Sequence, residues 1–396
     1  MRILVATHNY PRFPGDPAGA FVQRLAAAAG EAGHDVLVVA PHAPGLTERE
    51  RDPAGVALVR FRYAPERWER VGYRGDLHRP GAVPWQAALG VPAFLAGFRR
   101  AVRRAAATFR PDVLHAHWWF PSAWAAPRSG APLVVTCHGS DIRLLDRGKL
   151  VRSVARRVFG RASVATTVSQ FLADDLLAAL PGLRTRVVVA PMPVDVERFA
   201  RGRMVPKRTP PQILYAGNLL DSKGVDVLID AYARLRRGGV PCTLRILGEG
   251  PAREALGRLA ASLGVAGEIE WSRFLRQDQM PAQYGASTVT VLPTRGRAEG
   301  LGLTLVEALL AGSAVVGTPV GGIPEVVRHM ETGLLARDGD ADDLANQLRL
   351  LLADANLRER LTAAGDHECR RRFAPAAAAR RFLDLYGEAL GRQHAS

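Results

Sequence analysis

Two carboxylates stand eight positions apart in RGRAEGLGLTLVEALLAGS, residues 295–313: Glu299 before a glycine-rich turn and Glu307 inside the apolar run that follows. A helix that starts within GLGLTLVE leaves its first backbone N–H groups without intrahelical acceptors, and its dipole adds partial positive charge there. Gly300 and Gly302 let that backbone approach an anion, so the turn from Gly300 through Leu301, Gly302 and Leu303 to Thr304 is a candidate phosphate cradle. Glu307, on the first turns of the helix, can accept hydrogen bonds from both hydroxyls of a ribose attached to that phosphate. Glu299 can reach a sugar hydroxyl at the other end of a diphosphate. In isolation such a pair is more often a dipole-complementing Glu307 and a solvated Glu299.

Other residues argue against isolation. Only Lys149, Lys207 and Lys223 among the 53 Lys+Arg are lysines, so a lysine is an unusual choice in this chain. Lys223 lies in GNLLDSKGVDVLI, after one strand and before the next helix, where an ammonium could neutralise a departing diphosphate. His138, in TCHGSD, ends another strand, with Ser140 or Asp141 as the expected cap of the following helix. GDPAGAFVQ supplies Gly15, Gly19 and a helix start at Ala20, a second candidate anion turn.

The elements that must position these residues alternate along the chain. RILVAT, HDVLVVA, VALVRFRY, DVLHAH, PLVVTCHG, SVATTVS and RVVVAP read as strands, with helices at 20–32 and roughly 86–107 and others between the later strands. Apolar runs without strict alternation fit strands buried on both faces of a parallel sheet. After residue 212 the pattern restarts with ILYAGN, CTLRILG, IEWSRF, TVTVLPT and AVVGTPV. The expectation is an α/β chain of two doubly wound, Rossmann-like domains, 1–195 and 213–375, joined by a Pro-rich, basic linker at 196–212 and followed by a terminal helical segment, 376–396. Ligands of such sheets bind at the carboxyl ends of the strands, so both sets of loops are expected to face one interdomain cleft.

With 396 residues, 47% of them hydrophobic and 23% charged, the chain suits two soluble globular domains and excludes extensive disorder. Cys137, Cys242 and Cys369 lie too far apart for a zinc site and are odd in number, and the apolar run before His8 is far short of a signal peptide, so a cytoplasmic location is expected. The net charge of +15 is uneven: residues 1–200 hold 27 Lys+Arg against 16 Asp+Glu. Such a field attracts phosphorylated ligands, an anionic membrane or nucleic acid.

The residues together resemble the retaining glycosyltransferases of GT-B fold, glycosyltransferase family 4, over nearly the whole chain. The matching stretches are GAFVQRLAAAAGEAGHDVLVVAP, DVLHAHWWFP, TCHGSDI, TTVSQFL, GNLLDSKGVDVLIDAY, LRILGEGP and, most specific in order and spacing, EGLGLTLVEALLAGSAVVGTPVGGIPEVV. The resemblance implies that Glu307 binds the donor ribose, that Glu299, Lys223 and His138 act at the reacting sugar and its diphosphate, and that Gly300 to Thr304 cradle the phosphates. Gly19, Gly217 and Asn218 would complete the donor site, with base contacts from the backbone near Phe274 to Arg276. It also implies a UDP or GDP sugar as donor, no cofactor, no metal, and a terminal helix crossing back to the first domain. The chain departs from the family where Asn218 replaces an arginine, which leaves Arg295, Arg297 or Arg143 to supply that charge, and where Met192 and Pro193 replace an Asn-Gly pair.

The expected reaction is transfer of a glycosyl group, with retention, to a glycan, a lipid-linked acceptor or a small molecule. An uncharged segment, 80–98, beside RRAVRR could rest on an anionic bilayer, although a core-packed helix with a basic face is the commoner use of such a pattern. The rivals are a sugar-nucleotide epimerase on the same fold and a protein that binds donor without turnover. A nucleic-acid-binding protein lacks a stacking platform here, and no lysine suits pyridoxal phosphate.

Overall fold

The computed structural model describes residues 1–69, 71–73, 90–128, 130–273, 275–297 and 299–391. The chain divides into two compact units, Met1–Val194 with Pro375–Ser396, and Asp195–Ala374. The first holds β1 (Arg2–Ala6), β2 (Asp35–Pro41), β3 (Arg49–Arg51), β4 (Ala57–Phe61), β5 (Val113–His117), β6 (Leu133–Cys137), β7 (Val164–Thr167) and β8 (Val187–Val189). They form one sheet in the order β3-β4-β2-β1-β5-β6-β7-β8, parallel except that β3 pairs antiparallel with β4. The short polar strand β3, RER, covers one edge and has no apolar run by which the sequence could announce it.

The second unit holds β9 (Gln212–Ala216), β10 (Thr243–Leu247), β11 (Ile269–Ser272), β12 (Val289–Leu292), β13 (Ala314–Gly317) and β14 (Leu334–Leu335), all parallel, in the order β11-β10-β9-β12-β13-β14. Every residue of β5, β6, β9, β12 and β13 is buried, as a sheet covered by helices on both faces requires. The two doubly wound units therefore agree with the expected Rossmann-like pair. Strand order reverses between β1 and β5 in one unit and between β9 and β12 in the other, so each sheet opens a crevice at that switch point, at the carboxyl ends of its strands.

The helix expected at roughly 86–107 is observed as Val91–Phe109, and residues 74–89, with the first part of the uncharged segment, lie outside the described residues. It buries Phe94, Phe98, Val102, Ala105 and Ala106 and exposes Arg99, Arg100, Arg103 and Arg104. Phe98 stacks on Phe61 of β4 with ring centres 4.7 Å apart. The apolar part of 91–98 is thus core packing. Among the described residues no helix is long and apolar enough to cross a membrane.

The expected linker, 196–212, is instead packed into the second unit up to β9. Asp195 caps the helix Val196–Ala200 by accepting from the Arg198 N–H at 3.1 Å, and Phe199 is buried. Arg203 donates to the carbonyls of Leu309 and Leu310, and Lys207 to those of Ser287 and Gly312 at 2.8 and 2.6 Å. Basic residues that read as linker are therefore capping groups for exposed carbonyls, and burial pushes the Lys207 ammonium down to about 8. The helix Pro375–Ala389 lies in the first unit, where the Tyr386 hydroxyl is 2.6 Å from His115 Nδ1 on β5.

Candidate active site

In the second unit the loops after β9 and β12 meet at the switch point, and glycine is what allows it. Gly224 has φ 65°, and a Cβ there would overlap the Pro293 carbonyl that follows β12. The Arg295 N–H donates to the Ser222 carbonyl at 2.9 Å, and the Arg295 guanidinium pairs with Asp226 at 2.6 Å. Pinned in this way, the two loops bring Lys223 Nζ to 2.8 Å from Glu299 Oε2. The other oxygen of Glu299 accepts from the Gly302 N–H at 3.2 Å. Gly302, at φ 87°, precedes the helix Leu303–Leu310, in which the N–H groups of Leu303 and Thr304 have no carbonyl four residues back within the helix. Lys223, Glu299 and the Gly300–Thr304 turn thus form one cluster.

Glu307 lies on the same helix and is partly exposed. It accepts from the Tyr284 hydroxyl at 3.1 Å and from the Gln277 side-chain amide at 3.4 Å. Tyr284 is wholly buried, and burial together with the Glu307 charge raises its phenol well above its ordinary range, so it stays a hydrogen-bond donor at neutral pH. Arg276 is exposed and paired with Asp278 at 2.8 Å, on the turn that also carries Gln277. Phe274, the other end of the stretch expected to contact a base, lies outside the described residues. Gly217 and Asn218 follow β9. The Asn218 carbonyl accepts from the Tyr215 hydroxyl at 2.8 Å, and the Asn218 side chain is exposed.

In the first unit the loops after β1, β5 and β6 build a different environment. Gly19, φ 66°, starts the helix Ala20–Glu31, and a Cβ there would overlap the Asn9 carbonyl after β1. Two residues on, Phe21 meets the His138 ring at 4.9 Å, and Trp118 lies 4.3 Å from it. His138 Nε2 is 3.1 Å from His117 Nδ1. Burial pushes both rings well below the ordinary imidazole range, and lowers His8 to about 4 and His115 to about 3. Trp118, at φ 68°, is a bulky residue in left-handed backbone, a strained conformation of the kind that clusters at functional sites. The structure thus gathers Gly19 and His138 in this unit and the remaining expected site residues in the other.

One sequence expectation needs correction. Neither Ser140 nor Asp141 caps a helix: the short 3-10 turn Arg143–Arg147 follows Ile142 with no side-chain cap. Asp141 reaches back instead, accepting from the N–H groups of His138 at 3.0 Å, Gly139 at 3.1 Å and Trp119 at 3.1 Å. Fully buried, it finds more donors in the strand-end turn than at a solvent-facing helix start. An Asp-x-Asp spacing, a common metal motif, occurs at Asp338, Asp340 and Asp342. Asp338 accepts from the Gly296 N–H at 3.0 Å, Asp340 caps the helix Ala341–Ala353, and Asp342 pairs with Arg234 at 2.5 Å. The three serve separate structural contacts, and among the described residues no three His, Cys, Asp or Glu side chains group as a metal would need.

Sequence reasoning also passed over Tyr284 and Gln277, which hold Glu307, and the Gly321–Gly322 pair. A Cβ on Gly321 would overlap the Glu299 carbonyl, and one on Gly322 the Gly300 carbonyl, so this pair is the surface on which the start of the Gly300–Thr304 turn lies. The Gly-Gly dipeptide after β13 was the available signal.

Residues 18–198 match the family described as Glycosyltransferase Family 4, and residues 197–368 that described as Glycosyl transferases group 1. The D-inositol 3-phosphate glycosyltransferase of Streptomyces bingchenggensis is 32% identical over 333 residues, 76% of this chain and 72% of that one. The GDP-mannose-dependent alpha-(1-6)-phosphatidylinositol monomannoside mannosyltransferase of Mycolicibacterium smegmatis is 32% identical over 256 residues, 61% of this chain and 66% of that one. Among solved structures, HepE of Anabaena in complex with UDP-glucose has a TM-score of 0.69 at 20% identity, covering 98% of this chain and 100% of that one.

Proposed function

The chain belongs to glycosyltransferase family 4 and has its GT-B fold, and from that premise we propose that it transfers a sugar, with retention, from a UDP or GDP sugar to a glycan, lipid-linked or small-molecule acceptor. The observation that carries the reading is the second unit's cluster, in which Lys223 and Glu299 pair at 2.8 Å beside the Gly300–Thr304 turn with Glu307 on the helix behind it. The diphosphate lies on that turn, facing the N–H groups of the helix start, and its ribose hydroxyls donate to Glu307. Lys223 exchanges part of its contact with Glu299 for the leaving phosphate, and Glu299 then accepts from a hydroxyl of the transferred sugar.

In the reaction the bond from the anomeric carbon to the diphosphate oxygen breaks while the acceptor oxygen bonds to the same carbon from the same face. The acceptor's hydroxyl proton goes to the departing diphosphate. Lys223 and the helix start stabilise the charge that grows on that oxygen, the role in which preorganised positive groups contribute most. His138 hydrogen-bonds the transferred sugar, and no metal or cofactor takes part. Arg295, held by Asp226 beside the Lys223 loop, supplies charge that Asn218 does not.

A thermal-shift and nucleotide-release screen against UDP, GDP and ADP sugars, with Glu307→Ala alongside, tests the reading. Stabilisation by one nucleotide class, lost in the variant, and release of its diphosphate only when acceptor is present are the expected results. Release of free nucleotide from a donor that is epimerised without acceptor would replace the reading with an epimerase. Binding without turnover across acceptors of all three classes would reduce it to a donor-binding protein.

A further inference from the structure

Two histidines at the first unit's switch point are placed so that the position of each proton can be worked out. His117 Nδ1 and His138 Nε2 face each other at 3.1 Å. Burial holds both rings well below their ordinary range, so at neutral pH each is neutral and a single hydrogen lies between them. Were His138 the donor, the hydrogen of His117 would sit on its Nε2, which is buried and has no partner among the described residues. An orphaned buried N–H is rarer than an unused lone pair. His117 therefore donates from Nδ1 and keeps the bare lone pair on Nε2, and His138, accepting at Nε2, carries its hydrogen on Nδ1.

We propose that His117 is a positioning residue that locks His138 in the Nδ1–H tautomer, so that His138 meets the transferred sugar as a hydrogen-bond donor and not as a base. The placement of the ring supports this. Asp141 fixes the His138 backbone, and Trp118 and Phe21 pack against its ring at 4.3 and 4.9 Å. His117 is fully buried and His138 is partly exposed. The one side-chain hydrogen bond of His138 among the described residues is made by Nε2, so Nδ1 is the nitrogen left for a ligand. The chemistry agrees: when the acceptor's proton passes to the leaving diphosphate, no side-chain base is needed on that face, and an N–H directed at a sugar oxygen is what remains useful. His115 and His117, two apart on β5, share one side of the sheet with ring centres 4.2 Å apart. His115 spends both its nitrogens on Tyr386 and Thr136, so it does not compete for His138.

The sugar contact rests on the proposed function, whereas the tautomer does not, and the experiment separates them. Long-range proton–nitrogen correlation spectra of ligand-free protein labelled at histidine nitrogens read the tautomer directly. The expected result is hydrogen on Nδ1 of both His117 and His138. Hydrogen on Nε2 of His138 would overturn the proposal. In His117→Leu the His138 signals should become those of a mixture, and kcat should fall roughly tenfold, the worth of one hydrogen bond, with donor KM little changed. His117→Asn, whose amide N–H takes the place of Nδ1–H, should restore the single tautomer and most of the rate. Equal losses in the two variants with the tautomer unmoved would mean that His117 only packs. If His117→Leu does not fold, the wild-type spectrum and the Asn variant still decide. A locked tautomer in a protein that responds to no sugar nucleotide would remove the sugar contact and the proposed function while the lock itself stands.

Discussion

The two units carry their candidate residues at the same topological position, the switch point of a doubly wound sheet, and fill it with opposite chemistry. In the second unit the position holds charge: Lys223, Glu299 and Glu307, partly exposed, each held by a partner of opposite charge or by a hydrogen-bond donor. In the first it holds neutral rings: His8, His117 and His138 among Phe21 and Trp118, with Asp141 buried beneath and satisfied by backbone. A charged pair suits phosphates and ribose hydroxyls, whereas neutral rings suit the faces and oxygens of a sugar. The same fold thus supplies the place and the loop residues supply the function. The net positive charge of the first half is spread elsewhere, as on the exposed arginines of Val91–Phe109.

The largest expected difference between the units is their response to acid. A histidine whose folded pKa lies below its unfolded value binds fewer protons folded than unfolded, so it lowers stability as pH falls beneath about 6.5. For His8, lowered to about 4, and His115, lowered to about 3, the loss runs from about pH 6.5 down to those values, and His117 and His138 shift in the same direction. His8 and His115 each forfeit on the order of 2–3 kcal/mol by pH 4, a large part of the stability of a domain. Asp141, whose carboxyl is raised by burial, works in the opposite sense and offsets part of the loss. Of the six tryptophans, Trp68, Trp85, Trp118, Trp119 and Trp124 belong to the first unit and Trp271 to the second. Tryptophan emission of wild type and of Trp271→Phe should show the first unit lost between pH 6.5 and 4 ahead of the second. Coincident loss of both units, or none above pH 4, would remove the contrast.

Next in size is the test of the charged side. Lys223→Ala should lower kcat by roughly 10²–10³ with the fold intact, as expected for one preorganised donor at a developing charge. Steady-state kinetics with circular dichroism would check it, and undiminished turnover would take Lys223 out of the mechanism. Glu307→Ala removes a charged acceptor, not a transition-state contact, so it should raise the donor Kd about 10–100-fold while kcat at saturating donor changes much less. If calorimetry shows the loss in kcat alone, Glu307 does not hold the ribose.

Much of this contrast could be read from the sequence. β1, β5, β6, β9 and β12 announce themselves as apolar runs because both faces of each are covered, and Glu299 and Glu307 flank a glycine turn whose purpose is local. β3 has no apolar run, and the packed stretch 196–207 is basic because its side chains cap carbonyls contributed from positions 287 to 312. Such long-range satisfaction leaves no periodic mark. The same holds for Tyr284, an ordinary aromatic in a short helix until the fold sets it 3.1 Å from Glu307, and for Asp141, whose three backbone donors come from two separate turns. The histidines of DVLHAH were visible, and the pleat puts both on one side of the sheet, but which of them faces His138 depends on the register with the neighbouring strand.

The smallest effect sharpens the comparison most, because it asks whether the charged side is built in depth as the neutral side is. Tyr284→Phe removes only the hydroxyl that donates to Glu307 and keeps the ring that fills the core beside Phe199, 6.0 Å away. Gln277 remains as a donor to Glu307, so the carboxylate is loosened without being stranded. The donor Kd should rise about threefold to tenfold, the value of one hydrogen bond to a part-buried acceptor, with kcat essentially unchanged. If Tyr284 acts through Glu307, the same substitution in a Glu307→Ala background should add nothing to the Kd, because the group it positions is gone. An additive loss in the double variant would show that the Tyr284 hydroxyl meets the donor itself or supports the helix by another route, and the second unit's site would then rest on its charged residues alone.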